Sequence, residues 1–305
     1  MRQSFLAGFV AALTAVIIWG TQLPIAKDAF VAVNPLHATM IRYQVASVFL
    51  VLLLIAREGP QALHYRGFGL RASVIGVFGM SASPMLVFFG ISLAGAERAA
   101  VITALQPAVA ALAQWIFRRK RPATFTLACI VVAFVGVVLV VTKGHLTATA
   151  TTRELMGSTI ILLGAVCWVI YTMGTERLVG WSAWKVTVLT VLPGMIATTL
   201  VTQTLAAYAV IEAPTRAGLL SVMWPLAYLT FAGVLFSMLA WNFGTRRIGA
   251  LNATLLINFM PIVTFAFRAW QGHRFLPIEL VGALLVVLAL VANNLYLRRQ
   301  YLRRL

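Results

Sequence analysis

Apolar residues along this chain come in runs of about twenty, separated by short clusters rich in arginine, glycine and proline. Runs of that length match the hydrocarbon thickness that an α-helix crosses, and their lack of alternation argues against barrel strands. Ten such runs can be read, near residues 5–27, 36–56, 70–92, 96–117, 123–142, 155–175, 184–208, 221–243, 249–271 and 276–297. They predict an all-α membrane protein of ten transmembrane helices. The longest connections, near 57–69 and 143–154, are too short for a folded domain.

One stretch occurs twice, 154 residues apart: Gly95-Ala96-Glu97-Arg98-Ala99 running to Pro107, and Gly249-Ala250-Leu251-Asn252-Ala253 running to Pro261. Sliding the chain on itself by that offset also aligns Gly79 with Gly233, Ser83 with Ser237, Phe89 with Phe243, Gly90 with Gly244 and Val109 with Val263. Nine identities in 31 gapless positions indicate an internal repeat. Five helices precede the break near Lys143–Arg153 and five follow it. An odd number makes the second half enter from the opposite side, so the repeat is expected to be inverted, residues 1–145 against 146–305, around a central cavity. Gly95, Gly249, Pro107 and Pro261 are then candidate hinges, because proline removes a helix hydrogen bond and frees the carbonyl four residues earlier.

Composition agrees with this picture and charge orients it. The chain of 305 residues is 61% hydrophobic and 10% charged, which no soluble domain can hide from water. The first run is too long for a signal-peptide core and is expected to remain as an anchor. The net charge of +17 raises the question of nucleic acid, but the basic residues are distributed by side: placing the N-terminus inside puts 16 Lys and Arg on that face and seven on the other. That bias is a topology signal, with both termini cytoplasmic and membrane lipid rather than nucleic acid as partner. Cys129 and Cys167 lie mid-helix without ligand-forming neighbours, and the four histidines are scattered, so no metal and no cofactor is expected.

The candidate chemistry is neutral and aromatic. An offset of 149 sets Trp19 on Trp168 and Gln22 on Tyr171, two helix faces that each carry a large ring and a hydrogen-bonding group. The fourth run carries a stripe of Ala99, Thr103, Gln106, Ala110 and Gln114, and the ninth carries Thr254, Asn258, Pro261 and Phe265. Polar side chains at hydrocarbon depth normally face other helices or water, so these faces are expected to point inward, together with Tyr43, Ser83, Ser237, Trp241 and Asn242. Trp181, Trp184 and Trp270 read instead as interfacial belt residues. No catalytic motif is present, and all seven acids fall at helix ends or in loops, so neither an enzyme nor an exporter of permanent cations is expected. Arg42 is the one ionisable residue inside a run; it can bind a substrate carboxylate, snorkel, or bond neighbouring carbonyls.

With these residues the chain resembles the drug/metabolite transporter superfamily, in its ten-helix EamA-type branch. The resemblance rests on Trp19-Gly20-Thr21-Gln22-Leu23-Pro24-Ile25-Ala26-Lys27, Arg42, the Ala-rich run with Pro107, the basic run before Pro122, Pro261 and Glu279. It is closest to bacterial aromatic amino acid exporters of the YddG type. The resemblance implies alternating-access export of aromatic and other hydrophobic amino acids across the bacterial inner membrane. Phe125 stands opposite Glu279, so that acid is not repeated. Export of neutral drugs or other small metabolites, or a non-transporting scaffold or sensor, are the alternatives.

Overall fold

The computed structural model describes residues 2–119, 121–143, 151–249, 253 and 256–302. Of the expected features, Lys120, His145, Ala250 to Asn252, Thr254, the last two arginines and the side chain of Gln114 lie outside the described residues. Among the described residues, eight helices are long and apolar enough to cross a membrane. They are α1 (Arg2–Ala29), α2 (Pro35–Glu58), α3 (Gly69–Ala94), α5 (Thr124–Thr142), α6 (Thr152–Thr175), α7 (Ala183–Ala207), α8 (Met223–Ile248) and α10 (Pro277–Leu302).

The two remaining expected spans are broken, which is why eight continuous spans stand where ten were expected. The fourth consists of α4a (Ala96–Thr103) and α4b (Gln106–Arg118). Pro107 cannot donate to the carbonyl of Thr103, and the helix opens at Ala104 and Leu105 before it resumes. In the ninth, the described helix α9 is Phe259–Trp270, Asn258 forms the break before it, and Pro261 is the residue that frees the carbonyl of Ile257. Pro24 and Pro193 sit inside continuous helices, so these two prolines bend nothing open.

Local conformation recurs at the offset read from the sequence. Val77–Ala82 and Phe231–Phe236 both form π-helical turns, and Ser83–Ala94 and Ser237–Ile248 both return to α-helix. Gly95 (φ 93°, ψ 164°) and Gly249 (φ 80°, ψ 152°) then end those segments in a backbone region open to glycine alone. Contacts between halves are matched in the same way. α1 packs on α8 and α6 on α3, α2 packs on α7, and α5 packs on α10. Gly8 meets Gly244 at the first crossing, and Gly157 meets Ala94 and the region of Gly90 at the second.

The surface is apolar, with Leu52, Phe134, Leu200, Leu284 and Leu288 facing outward, as a lipid-exposed bundle requires. Several interior hydroxyls are satisfied within their own helix: Thr190 donates to the Val186 carbonyl (2.7 Å) and Thr230 to that of Leu226 (2.7 Å). The α5–α10 contact depends on backbone proximity, since a Cβ at Gly136 would lie 2.6 Å from the Gly282 carbonyl oxygen. Gly136→Leu is therefore expected to cost about 1–3 kcal/mol of overpacking. A lower melting temperature of the detergent-purified protein than for Gly69→Ala, where the added Cβ lies 3.8 Å from its nearest neighbour, Tyr65, is the check.

Candidate functional site

Two cavities flank a layer of rings, a central one lined by both halves and a second one lined by the second half. The central one, about 80 Å³, is lined from seven spans. Trp19 and Gln22 come from α1, Arg42 and Tyr43 from α2, Ser83 and Phe88 from α3, Thr103 from α4a, Gln106 from α4b and Trp168 from α6. Met238 of α8 and Met260 of α9 complete it. The second cavity is a vestibule of about 430 Å³ lined by Tyr171, Thr175 and Glu176 of α6 and its loop, Val186 of α7, and Trp241, Asn242 and Arg246 of α8.

The layer between them is built on Trp19. Its ring lies 5.5 Å edge-on from Trp168 and 5.1 Å from Trp241, and Trp168 in turn lies 5.2 Å from Tyr171. Such pairs add to area burial and hold each ring in place. The indole Nε1 of Trp19 donates to Ser237 Oγ (2.8 Å), which donates to the Gly233 carbonyl (2.7 Å). Asn242 donates to Thr187 Oγ1 (2.6 Å), tying α8 to α7 at the same level. Glycines make room for the layer: Gly79 lies against the Tyr171 ring, and a Cβ at the repeat-related Gly233 would lie 2.5 Å from Gln22 Oε1. The two pairs are Gly79 with Tyr171 and Gly233 with Gln22, the same exchange that the offsets of 154 and 149 describe.

The end of the bundle opposite the vestibule is bridged by charge. Arg268 Nε of α9 donates to Glu97 Oε1 of α4a (2.7 Å), and Arg98 Nη1 of α4a donates to Glu154 Oε1 of α6 (2.6 Å). Arg98 also donates to the carbonyls of Ala94 (3.0 Å) and Val141 (3.0 Å), and Gln271 donates to Asp28 (3.4 Å). Every one of these charged contacts except the two carbonyl bonds joins the first half to the second. Among the described residues these are the only two ion pairs.

Arg42 follows neither of its bland alternatives. It is 3% exposed, its guanidinium carbon lies 3.8 Å from the centre of the Phe88 ring and 5.2 Å from that of Tyr43, and its Nε and Nη1 meet no acceptor. Gln22 Oε1 in the same cavity also lacks a donor.

Of the residues expected from the sequence, Trp19, Gln22, Arg42, Tyr43, Ser83, Thr103, Gln106 and Trp168 are together around the central cavity. Tyr171, Trp241 and Asn242 face the vestibule, and Ser237 holds Trp19. Asn258 is fully buried at the break before α9, its amide without a partner among the described residues. Trp181 departs from its expected interfacial place: Tyr65, Phe68 and Lys185 cover it and leave 4% exposed, because the 59–68 connection folds back over the start of α7. Trp270 is 80% exposed. Sequence reasoning missed Phe88, Met238 and Met260, whose apolar side chains look the same facing cavity or core. It also missed the threonine row Thr187, Thr190, Thr198 and Thr202 of α7, whose one-face helical periodicity was a readable signal.

The profile of the EamA-like transporter family matches residues 6–142 and again 155–295. Two proteins of Bacillus subtilis (strain 168) are similar over nearly their whole length. The uncharacterized transporter YrdR is 29% identical across 96% of this chain and 93% of its own. The uncharacterized transporter YyaM is 25% identical across 91% and 90%. A protein crystal structure, 19% identical, superposes with a TM-score of 0.67 over 98% of this chain and 99% of that one, a likeness of fold.

Proposed function

The chain belongs to the EamA-like transporter family, and from that premise we propose that it exports aromatic and other hydrophobic amino acids by alternating access across the bacterial inner membrane. In this reading the ten runs are ten spans, and residues 1–145 and 146–305 are inverted five-helix repeats that rock about the central cavity. Gly95 and Gly249 are the hinges of the two gates, with Pro107 and Pro261 supplying the flexible breaks beside them. The basic ends of α2, α3, α6 and α8 are cytoplasmic, as are both termini, so the vestibule faces the cytoplasm and the ion-paired end is closed.

The observation that carries the reading is the central cavity itself, whose lining combines aromatic rings with neutral polar groups and whose single charge is Arg42. Rings of a substrate can stack on Trp19 and Trp168 while Gln22, Ser83, Thr103 and Gln106 pair its polar end, and Arg42 meets its carboxylate. At about 80 Å³ the cavity is smaller than ordinary ligand pockets, so substrate entry requires the ring layer to part and join it to the vestibule. A neutral drug leaves the buried guanidinium without a partner, which disfavours that alternative.

The test is release from proteoliposomes loaded with labelled phenylalanine or tryptophan, with and without a pH gradient. Release above protein-free liposomes is expected, falling roughly tenfold or more in Trp19→Ala, which removes the ring on which the others rest. A Trp19→Ala protein that releases amino acid at the wild-type rate contradicts the assigned role of the layer, and no release of any amino acid contradicts the substrate.

A further inference from the structure

The central cavity is electrically one-sided. Arg42 is buried there with two guanidinium nitrogens, Nε and Nη1, unspent, and no carboxylate accompanies it. Each acid of the chain is engaged elsewhere or stands at a helix end. Glu97 and Glu154 are in ion pairs, Asp28 meets Gln271, Glu279 accepts from its own helix start at Leu276 (2.9 Å), and Glu58, Glu176 and Glu212 lie at helix ends or in connections.

The guanidinium is held by aromatic rings. Its carbon lies 3.8 Å from the centre of Phe88 and 5.2 Å from that of Tyr43, contacts that stabilise the charge while Nε and Nη1 keep no acceptor. The rim of N–H groups is what remains for a ligand, and a planar carboxylate is the anion that matches it. A substrate ammonium finds nothing equivalent. Its available partners are the side-chain carbonyl oxygens of Gln22 and Gln106, the hydroxyls of Ser83 and Thr103 and the rings of Trp19 and Trp168, all uncharged, and it would share a low-dielectric space with Arg42.

We propose that this site recognises a monocarboxylate on an apolar body, so that the amino group of an amino acid is tolerated and not selected. Aromatic and hydrophobic carboxylates without an amine are then ligands at least as good as the amino acids, and amines without a carboxylate are not ligands. The inference rests on the reading of the central cavity as the substrate site. It makes the ligand complete the charge of the cavity: an anion neutralises Arg42, whereas a zwitterion adds a cation that nothing offsets.

The experiment uses matched probes on the full-length purified protein: phenylalanine, 3-phenylpropionate, 3-phenylpropionamide and 2-phenylethylamine, with the aliphatic set leucine, 4-methylpentanoate, its amide and isopentylamine. Apparent affinity is read from thermal stabilisation, and transport is read separately in proteoliposomes. Both acids are expected to bind as tightly as the corresponding amino acid or tighter. The amide and amine should be roughly ten- to a hundredfold weaker, the loss of a hydrogen-bonded charge pair. Arg42→Gln should erase the difference between acid and amide. Arg42→Lys, which keeps the charge and guards against a folding defect, should retain the preference with reduced affinity.

Amines that bind as well as acids, a preference for acids that survives in Arg42→Gln, or no stabilisation by any probe overturns the proposal. Stabilisation by acids that depends on Arg42, without transport of any amino acid, upholds it and overturns the amino acid reading instead.

Discussion

Glu97→Gln combined with Glu154→Gln is expected to reverse the resting preference of the protein, opening the end that is now bridged. The two pairs join α4a to α9 and to α6, so both resist separation of the halves at that end. Their side chains are 9–26% exposed, between the surface limit, where a pair contributes little, and the buried limit, where losing one partner costs several kcal/mol. A contribution of about 1–3 kcal/mol from each gives roughly 2–6 kcal/mol in total, enough to move a two-state equilibrium by roughly one and a half to four decades. The double substitution also leaves Arg98 and Arg268 without acids, with Lys27 close to the same turn, so repulsion adds to lost attraction. Spin labels at exposed Val31 and Trp270, in a background lacking Cys129 and Cys167, report the change. The expected result is a second, longer distance population in the variant. An unchanged distribution means that the pairs do not hold the end closed.

Gly79→Ala is expected to be far more damaging than Gly233→Ala, although the two positions are related by the repeat. At Gly79 the added Cβ falls among the Cβ, Cγ and Cδ2 atoms of Tyr171, a ring 1% exposed and packed on Trp168. Nothing there can yield without displacing the aromatic layer. At Gly233 the conflict is with the tip of the Gln22 side chain, Oε1 at 2.5 Å, and the next atom is 3.6 Å away. One rotation of a flexible amide relieves it. Overpacking costs of about 1–3 kcal/mol, with more where no atom can move, are expected at Gly79 together with loss of transport, and less than about 1 kcal/mol at Gly233. Melting temperature and phenylalanine release on the two variants decide the matter. Equal damage at both positions contradicts the argument from the ring layer.

That contrast also shows where sequence reasoning reaches and where it stops. The offset of 154 was legible because glycine, serine and proline recur where backbone conformation demands them. It aligns the π-helical turns, the Gly95 and Gly249 turns, and Pro107 with Pro261. The grouping of Trp19, Gln22, Arg42, Thr103, Gln106 and Trp168 was legible because a polar or ring-bearing face at hydrocarbon depth has few places to point. What the repeat does not encode is asymmetry of packing. Nothing in Gly79 and Gly233 tells that one meets a ring and the other an amide. The ion pairs were hidden for a related reason: Arg268 lies 171 residues from Glu97, and Arg98 lies 56 from Glu154, so a helix-end charge reads as topology until the fold supplies its partner. Breaking of the fourth run into α4a and α4b was foreshadowed by Pro107, yet hydropathy alone counts it as one span. Trp181 was misplaced because an indole beside a predicted boundary looks interfacial until a connection folds over it.

Alternating access through the central cavity is tested most directly by a single cysteine at Ser83, which lines that cavity, in a background without Cys129 and Cys167. A membrane-impermeant thiol reagent is applied to proteoliposomes of known orientation from one side at a time. The account predicts faster labelling from the vestibule side in the otherwise unaltered protein, faster labelling from the opposite side when Glu97 and Glu154 are neutralised, and protection by phenylalanine in both. Labelling at equal rates from both sides, as in an open pore, or from the same side in both proteins, contradicts it.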